Sequence, residues 1–455
     1  MKILYLIHQF YPAHHGGSEK FILQLAQRVQ AAGHQVVVVA FDYHNRRAAQ
    51  NKFVAPSAST LAHKNNHWQA LLAPTLRHVR RSSLWRRWRN RLPDPLRSYT
   101  DTVEGVRVIG FRSRCVAQNN FHLHEPQLTH FATEVLEREA PDLIHAGYLL
   151  YTAEFLHVAQ RLRIPYLITL TSHWLLCPKH TLLNAKAQIC AGPRGGEECK
   201  SACPGFALDQ VRLRYATMQQ LLTHAAAIIA PSRHMAHLFQ RELGPIDLTY
   251  LPYGMDCQHL PLNMRRTAAG QPLTFFFGGR LAPEKGVPLL LTAFRRLPAQ
   301  HIRLHIYGVG HFAEAVQQAA QTDPRIHYGG IYTTTQVGSL LQQVDVVVVP
   351  SIWHENLPLI MQEAQACGVP TLVADVGGMT ECVTDGVNGF IFRVGDVADL
   401  QAKMQMIIDQ PELLNEIKEY MHNPKPGQYR VTSLEEEATL YLEEYTKIID
   451  AQAMG

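Results

Sequence analysis

The chain has 455 residues, 46% of them hydrophobic and 18% charged, with a formal net charge of +5 at pH 7. This composition excludes a disordered or collagen-like chain, and the length suits two to three domains. No run approaches the roughly 20 apolar residues that cross a bilayer, which predicts a soluble or peripheral protein.

Met1–Ile7 is too short an apolar run for a signal-peptide core and meets His8 and Gln9 at once, so it reads as a first strand. From Ser18 to Ala32 the apolar residues Phe21, Ile22, Leu25, Ala26 and Val29 follow a helical period that stops at Gly33, and Gln35–Phe41 returns to a β-run. Further buried strands are predicted at Asp142–His145, Tyr166–Leu170, Ala227–Ala230, Thr274–Gly278, Leu304–Tyr307, Asp345–Pro350 and Pro370–Ala374, alternating with helical stretches. The pattern predicts two doubly wound parallel-sheet halves that meet near Tyr253–Gln271. Asn423–Gly427 is a second break, before a last helix with a Ser433/Glu436 capping box and an apolar stripe of Leu434, Ala438, Tyr441, Tyr445 and Ile448.

The chemistry concentrates in two places. Ser351–Glu363 puts Glu355 in the loop beyond the carboxyl end of a predicted parallel strand, where open α/β sheets bind ligands, and Glu363 two turns into the next helix. Two carboxylates spaced in this way suit a ligand rich in hydroxyls, such as a nucleotide sugar. Upstream, Thr274–Gly278 runs into Gly279-Arg280 and Lys285-Gly286, a glycine turn with two cations that suits a diphosphate. It is not a Walker A loop, because Gly286 and Val287 follow Lys285. His354-Glu355 begins like a zincin motif, but Pro358 stands where the second His is required.

Glu355 with Glu363, the Gly279–Gly286 turn, Gly16-Gly17-Ser18-Glu19, Tyr250–Asp256, Tyr307–Gly310, Gly377-Gly378 with Glu381, and Asp385–Phe390 occur in an order and spacing that resembles glycosyltransferase family 4. The resemblance covers most of the chain. It implies a GT-B fold: two Rossmann-like domains facing across a cleft, with a C-terminal helix returning to the first. It places an acceptor-side domain at residues 1–255, with a basic insertion at 74–97 and a cysteine-rich loop at 177–204. A nucleotide-sugar domain follows at 256–428 and the returning helix at 429–455. It further implies a retaining enzyme that needs no catalytic metal and takes a nucleoside diphosphate sugar as co-substrate. Arg280 and Lys285 would hold the diphosphate, Glu355 the sugar hydroxyls, Glu363 the ribose, and the Asn356 and Leu357 backbone the sugar-phosphate region, with Gly16 and Gly17 near diphosphate and acceptor.

One segment departs from the family. Aligned on Trp174 and Cys177-Pro178, Thr171 stands where the family's active-site His usually stands and Ser172 where its Asp stands; His173 is the remaining imidazole candidate. Two rival readings follow: a catalytically silent sugar-nucleotide-binding partner of another transferase, and a GT-B sugar-nucleotide epimerase.

Cys177, Cys190, Cys199 and Cys203 crowd one loop-rich stretch. Four thiolates can close a Zn²⁺ site or hold an iron–sulfur cluster; free thiols and disulfides are the alternatives. Some family relatives carry a similar loop. Eight arginines between Arg77 and Arg97, with Trp85 and Trp88 interleaved, suit an anionic membrane surface and a lipid-linked acceptor, or equally a solvated insertion. Nucleic acid is the third option, and no nucleic-acid motif accompanies the arginines. Together these features place the protein in the cytoplasm, either free or on the inner membrane face, with surface polysaccharide or glycolipid synthesis as the process.

Overall fold

The computed structural model describes residues 1–12, 14, 16–42, 96–113, 125–423 and 429–454. They form two compact units. The first holds Met1–Ile168, Gln220–Ala226 and Tyr445–Gly455, and the second Thr169–Gln219 and Ala227–Glu444.

The first unit is built on strands β1 (Lys2–Ile7), β2 (Gln35–Phe41), β3 (Arg97–Val103), β4 (Val106–Arg112), β5 (Leu143–Ala146) and β6 (Tyr166–Thr169), in the spatial order β3-β4-β2-β1-β5-β6. All pairs are parallel except β3 with β4, a hairpin turned by Glu104 and Gly105, both at positive φ. Helix α1 (Gly17–Ala31) crosses from β1 to β2 and buries the predicted stripe of Phe21, Ile22, Leu25, Ala26 and Val29. Tyr5 and His145 are register partners on β1 and β5. The Tyr445 hydroxyl meets both, at 3.3 Å from the Tyr5 hydroxyl and 2.6 Å from His145 Nδ1.

The second unit contains a fully parallel six-stranded sheet of β10 (Leu273–Gly278), β11 (Ile302–Tyr307), β12 (Ile326–Gly330), β13 (Val346–Val349), β14 (Thr371–Ala374) and β15 (Gly389–Phe392), in the order β12-β11-β10-β13-β14-β15. That is the doubly wound order whose direction reverses between its first and fourth strands, here β10 and β13. Every residue of β10, β13 and β14 is buried, as expected where both faces of a parallel sheet are covered. The unit also holds the parallel pair β7 (Ala227–Ala230) and β8 (Thr249–Tyr250), with α2 (Arg233–Leu243) between them in the chain. Helices α3 (Val287–Arg295) and α4 (Leu359–Ala366) follow the two strands at the reversal. A two-residue strand β9 (Gly254–Met255) pairs with β16 (Thr432–Ser433), just before the last helix α5 (Leu434–Met454).

Two local expectations need correction. The Ser433 hydroxyl accepts the Glu436 amide at 3.1 Å, but the Glu436 carboxylate turns to Arg430 at 2.7 and 3.0 Å, so only half of the capping box forms. Glu363 is the fifth residue of α4, little more than one turn in, because Pro358 delays the start of that helix. Residues 74–95 of the basic insertion, with most of its arginines, lie outside the described residues.

Candidate active site

The reversal between β10 and β13 brings two loops of the second unit together. After β10 comes the turn of Gly279 and Arg280, then a short turn Pro283–Lys285; after β13 comes Ser351–Pro358. Gly286 makes the approach possible: at φ +70° a side chain is strained, and a Cβ there would collide with the carbonyl oxygen of Pro350. Gly377, at φ +69°, plays the same part against the backbone of Glu355, whose carbonyl accepts the Gly378 amide at 2.8 Å.

Lys285 Nζ lies 2.6 Å from Glu355 Oε1, and the Ser351 hydroxyl donates to the same oxygen at 2.6 Å. Glu355 is only 4% exposed. Burial pushes its carboxyl pKa up, but the Lys285 charge, with hydrogen bonds from Lys285 and Ser351, outweighs that and holds it below the ordinary range. The lysine ammonium also sits 5.2 Å from the centroid of the Trp353 ring. Arg280 is not drawn in: its guanidinium is 62% exposed and pairs with Glu284 at 2.9 Å. Glu363 is buried on α4, and its charge is felt by the Tyr332 phenol.

The Asn356 side chain is engaged with three other segments. Its amide donates to the Leu170 carbonyl at 3.0 Å and the Tyr253 hydroxyl at 3.3 Å, and its oxygen accepts the Ser232 hydroxyl at 2.8 Å. Leu357, next to it, is buried. Glu381 accepts the backbone amides of Arg233, at 2.8 Å, and His234, capping the N-terminus of α2.

His173 begins a 3-10 turn beyond β6 and is 1% exposed, edge-on to Trp353 at 6.0 Å and 6.1 Å from the His354 ring. Neither ring nitrogen reaches hydrogen-bond geometry with the protein. Burial, with His354 and His234 nearby, lowers its pKa to about 3, so the ring is neutral at pH 7 and suited to hydrogen bonding rather than to carrying charge. His234 and Trp353 escaped the sequence reading, which weighed His354 only as a failed zincin motif; the one available signal was the position of His354 and Trp353 beside Glu355. Ser232, which caps α2 at the Met235 amide, was findable as a Ser before an apolar helical run.

The four cysteines of the predicted metal site lie in electrostatic reach of one another around Cys199. Among the described residues no three His, Cys, Asp or Glu side chains are grouped to hold a metal ion, and Cys177, Cys190, Cys199 and Cys203 are free thiols. Burial pushes the Cys177, Cys190 and Cys199 thiols up, Cys199 to about 12, favouring the neutral form over the thiolate a metal requires, and Cys190 Sγ turns to the Gly192 carbonyl at 3.6 Å.

Gly16 and Gly17 belong to the first unit, at the start of α1 beyond β1. Glu19, in the first turn, is buried and folds back over Gly16, with His8 Nε2 3.7 Å from its carboxylate and the His8 ring tilted at 37° against Tyr148, 3.9 Å between centroids.

Two Rossmann-like units, one carrying a glycine turn, a lysine and a buried glutamate at its sheet reversal, define the GT-B class of fold. The chain belongs to the glycosyl transferase 4-like family: that domain matches residues 16–254, more than half of the chain, and a glycosyl transferases group 1 domain matches residues 263–423. It is 27% identical over 318 residues to the D-inositol 3-phosphate glycosyltransferase of Geodermatophilus obscurus, covering 64% of this chain and 65% of the relative. With the glycogen synthase of Mycobacterium tuberculosis it shares 29% identity over 204 residues, 43% of this chain and 49% of the relative. The chain thus spans less than two thirds of the length of either relative. Among solved structures, Anabaena HepE in complex with UDP and glucose aligns with a TM-score of 0.63 at 17% identity, over 98% of this chain and all of that one. Sucrose-phosphate synthase of Thermosynechococcus elongatus aligns with a TM-score of 0.64 at 17% identity, over 99% of both chains. Among the described residues no helix is long and apolar enough to cross a membrane.

Proposed function

We propose that the protein transfers a sugar from a nucleoside diphosphate donor to an acceptor hydroxyl, with retention at the anomeric carbon. The observation that carries this reading is the buried Lys285–Glu355 pair at the reversal of a doubly wound sheet, beside a glycine turn. An arriving diphosphate competes for Lys285, and Arg280 turns from Glu284 to add a second charge. Lys285 released to the phosphates leaves Glu355 free to accept donor-sugar hydroxyls and to face the positive charge that develops on the ring as the diphosphate departs. The His173 nitrogens supply a neutral hydrogen bond to the same sugar, Glu363 accepts from the ribose, and the Asn356 and Leu357 backbone meets the sugar phosphate. Gly16 and Gly17 serve the acceptor side, in a domain division at residues 255 and 428. The leaving phosphate takes the acceptor proton, and no metal enters the step.

HepE, a protein of similar fold, has been solved with UDP and glucose, and relatives of this chain include a lipopolysaccharide N-acetylglucosaminetransferase of Salmonella typhimurium, which supports a nucleotide-sugar donor and a surface-glycan or glycolipid acceptor. On this reading the enzyme works in the cytoplasm, at the membrane face where such acceptors lie. Thermal stability measured across UDP-, GDP-, ADP- and TDP-sugars tests it. Occupancy at 100 times Kd adds about 2.7 kcal/mol, and one nucleotide class should raise the melting temperature in the wild type but not in Arg280→Ala with Lys285→Ala. No rise with any nucleotide overturns the reading. Binding without a glycoside product supports a silent partner, the rival motivated by Thr171, and an isomerised donor supports an epimerase.

A further inference from the structure

The cysteine-bearing loop meets the Glu355 loop through its Cys190 carbonyl. Its residues 182–190 fold back on themselves, with the Cys190 amide donating to the Leu182 carbonyl at 2.7 Å and Leu183 bridging to Ile189. The far side is tied to α2, through the Arg194 amide on Glu242 at 2.8 Å and Arg241 on the Ala191 carbonyl. Toward the candidate active site, His354 Nε2 lies 3.1 Å from the Cys190 carbonyl oxygen, and His354 Nδ1 lies 3.1 Å from His234 Nε2, with the two rings stacked at 5.1 Å.

The chemistry of these contacts fixes the hydrogens. A carbonyl only accepts, so Nε2 of His354 carries the proton; in the neutral ring Nδ1 is then an acceptor, and His234 must donate from its own Nε2. We propose that His354 is a positioning residue: locked by His234 as the Nε2–H tautomer, it fastens the cysteine-bearing loop to the Glu355 loop and makes it a wall of the donor site. The adjoining elements agree. His173, at the entry to the loop, packs on Trp353 and His354; His180, within it, lies in electrostatic reach of Arg280 and Glu284. The loop therefore takes part in shaping the space for the donor sugar.

The kinetic part rests on the transferase reading, so the test has two arms independent of it. Nitrogen-15 NMR of histidine-labelled protein should show His354 as the Nε2–H tautomer. Trypsin cleavage after the exposed Lys186 should accelerate about tenfold in His354→Phe, from loss of one to two hydrogen bonds, and return to the wild-type rate in His354→Gln, whose amide places an N–H near the Nε2 position. In the active enzyme the donor KM should rise about tenfold in His354→Phe and recover in His354→Gln, with kcat within about twofold. An Nδ1–H tautomer overturns the proposal, and so does a His354→Phe protein with wild-type cleavage rate. A wild type that makes no glycoside overturns the transferase reading alone, leaving the tautomer and cleavage rate to decide this one.

Discussion

Two buried carboxylates, one in each unit, are held below their ordinary pKa in different ways. Glu139 in the first unit meets Lys2 at 3.1 Å, Arg107 at 2.6 Å and Arg138 at 3.0 Å. Burial pushes its pKa up, but hydrogen bonds from Arg107, Arg138 and Lys2 bring it down to about 2. Glu355 in the second unit has one lysine and one hydroxyl, both on the same oxygen. A carboxylate surrounded by three cations from β1, β4 and the helix before β5 ties strands together. One with a single exchangeable cation beside a glycine turn is arranged to trade that partner for a ligand.

The sharpest way to break this contrast is to neutralise each acid in turn. Glu355→Gln should lower kcat by about 10²- to 10³-fold with little change in melting temperature, read by product formation and calorimetry on the same sample. Glu139→Gln should do the reverse, costing about 1–3 kcal/mol in urea unfolding, a range discounted because Arg107 and Arg138 are half exposed, with donor binding intact. Because the folded pKa of Glu139 lies below its ordinary 4.5, its contribution is present above about pH 4.5 and is lost as pH falls toward about 2; the acid limb of the stability curve should flatten in the variant.

Glu437 sharpens the comparison from the opposite side. It is buried on α5 against the Gly254 amide, and burial raises its pKa to about 8. Raised above 4.5, it favours the folded state most below about pH 4.5, and that contribution is lost as pH climbs to about 8. Glu437→Gln should therefore raise the melting temperature at pH 8 by a few degrees and leave it nearly unchanged at pH 4.5; equal shifts at both would contradict the assignment. The smallest expected effect is at the half-formed cap: Arg430→Ala removes an exposed pair with Glu436 and should change stability by no more than about 0.5 kcal/mol.

Much of the parallel-sheet architecture was legible because buried strands such as Val346–Val349 carry no polar residue and their helices keep the 3.6 period. The β3–β4 hairpin was not, since its Glu-Gly turn lacks the usual Asn or Asp and β3 alternates weakly between faces. In the candidate site, the lysine, glutamates and glycine turns were readable from spacing. The side-chain bonds of Asn356 to Leu170 and Ser232 were not, because partners 186 and 124 residues away leave no local pattern. In the cysteine loop, thiol count and spacing say nothing about burial, which raises the Cys177, Cys190 and Cys199 thiols.

The bond between Tyr445 and His145 closes a gap of 300 residues. On the ribosome, the polypeptide that completes the first unit emerges only after the whole of the second has been made. The first unit must then wait, without the Tyr445 contact to His145, while the second folds. Nascent chains arrested before residue 445 should expose the incomplete first unit to chaperones, and release of α5 should end the exposure.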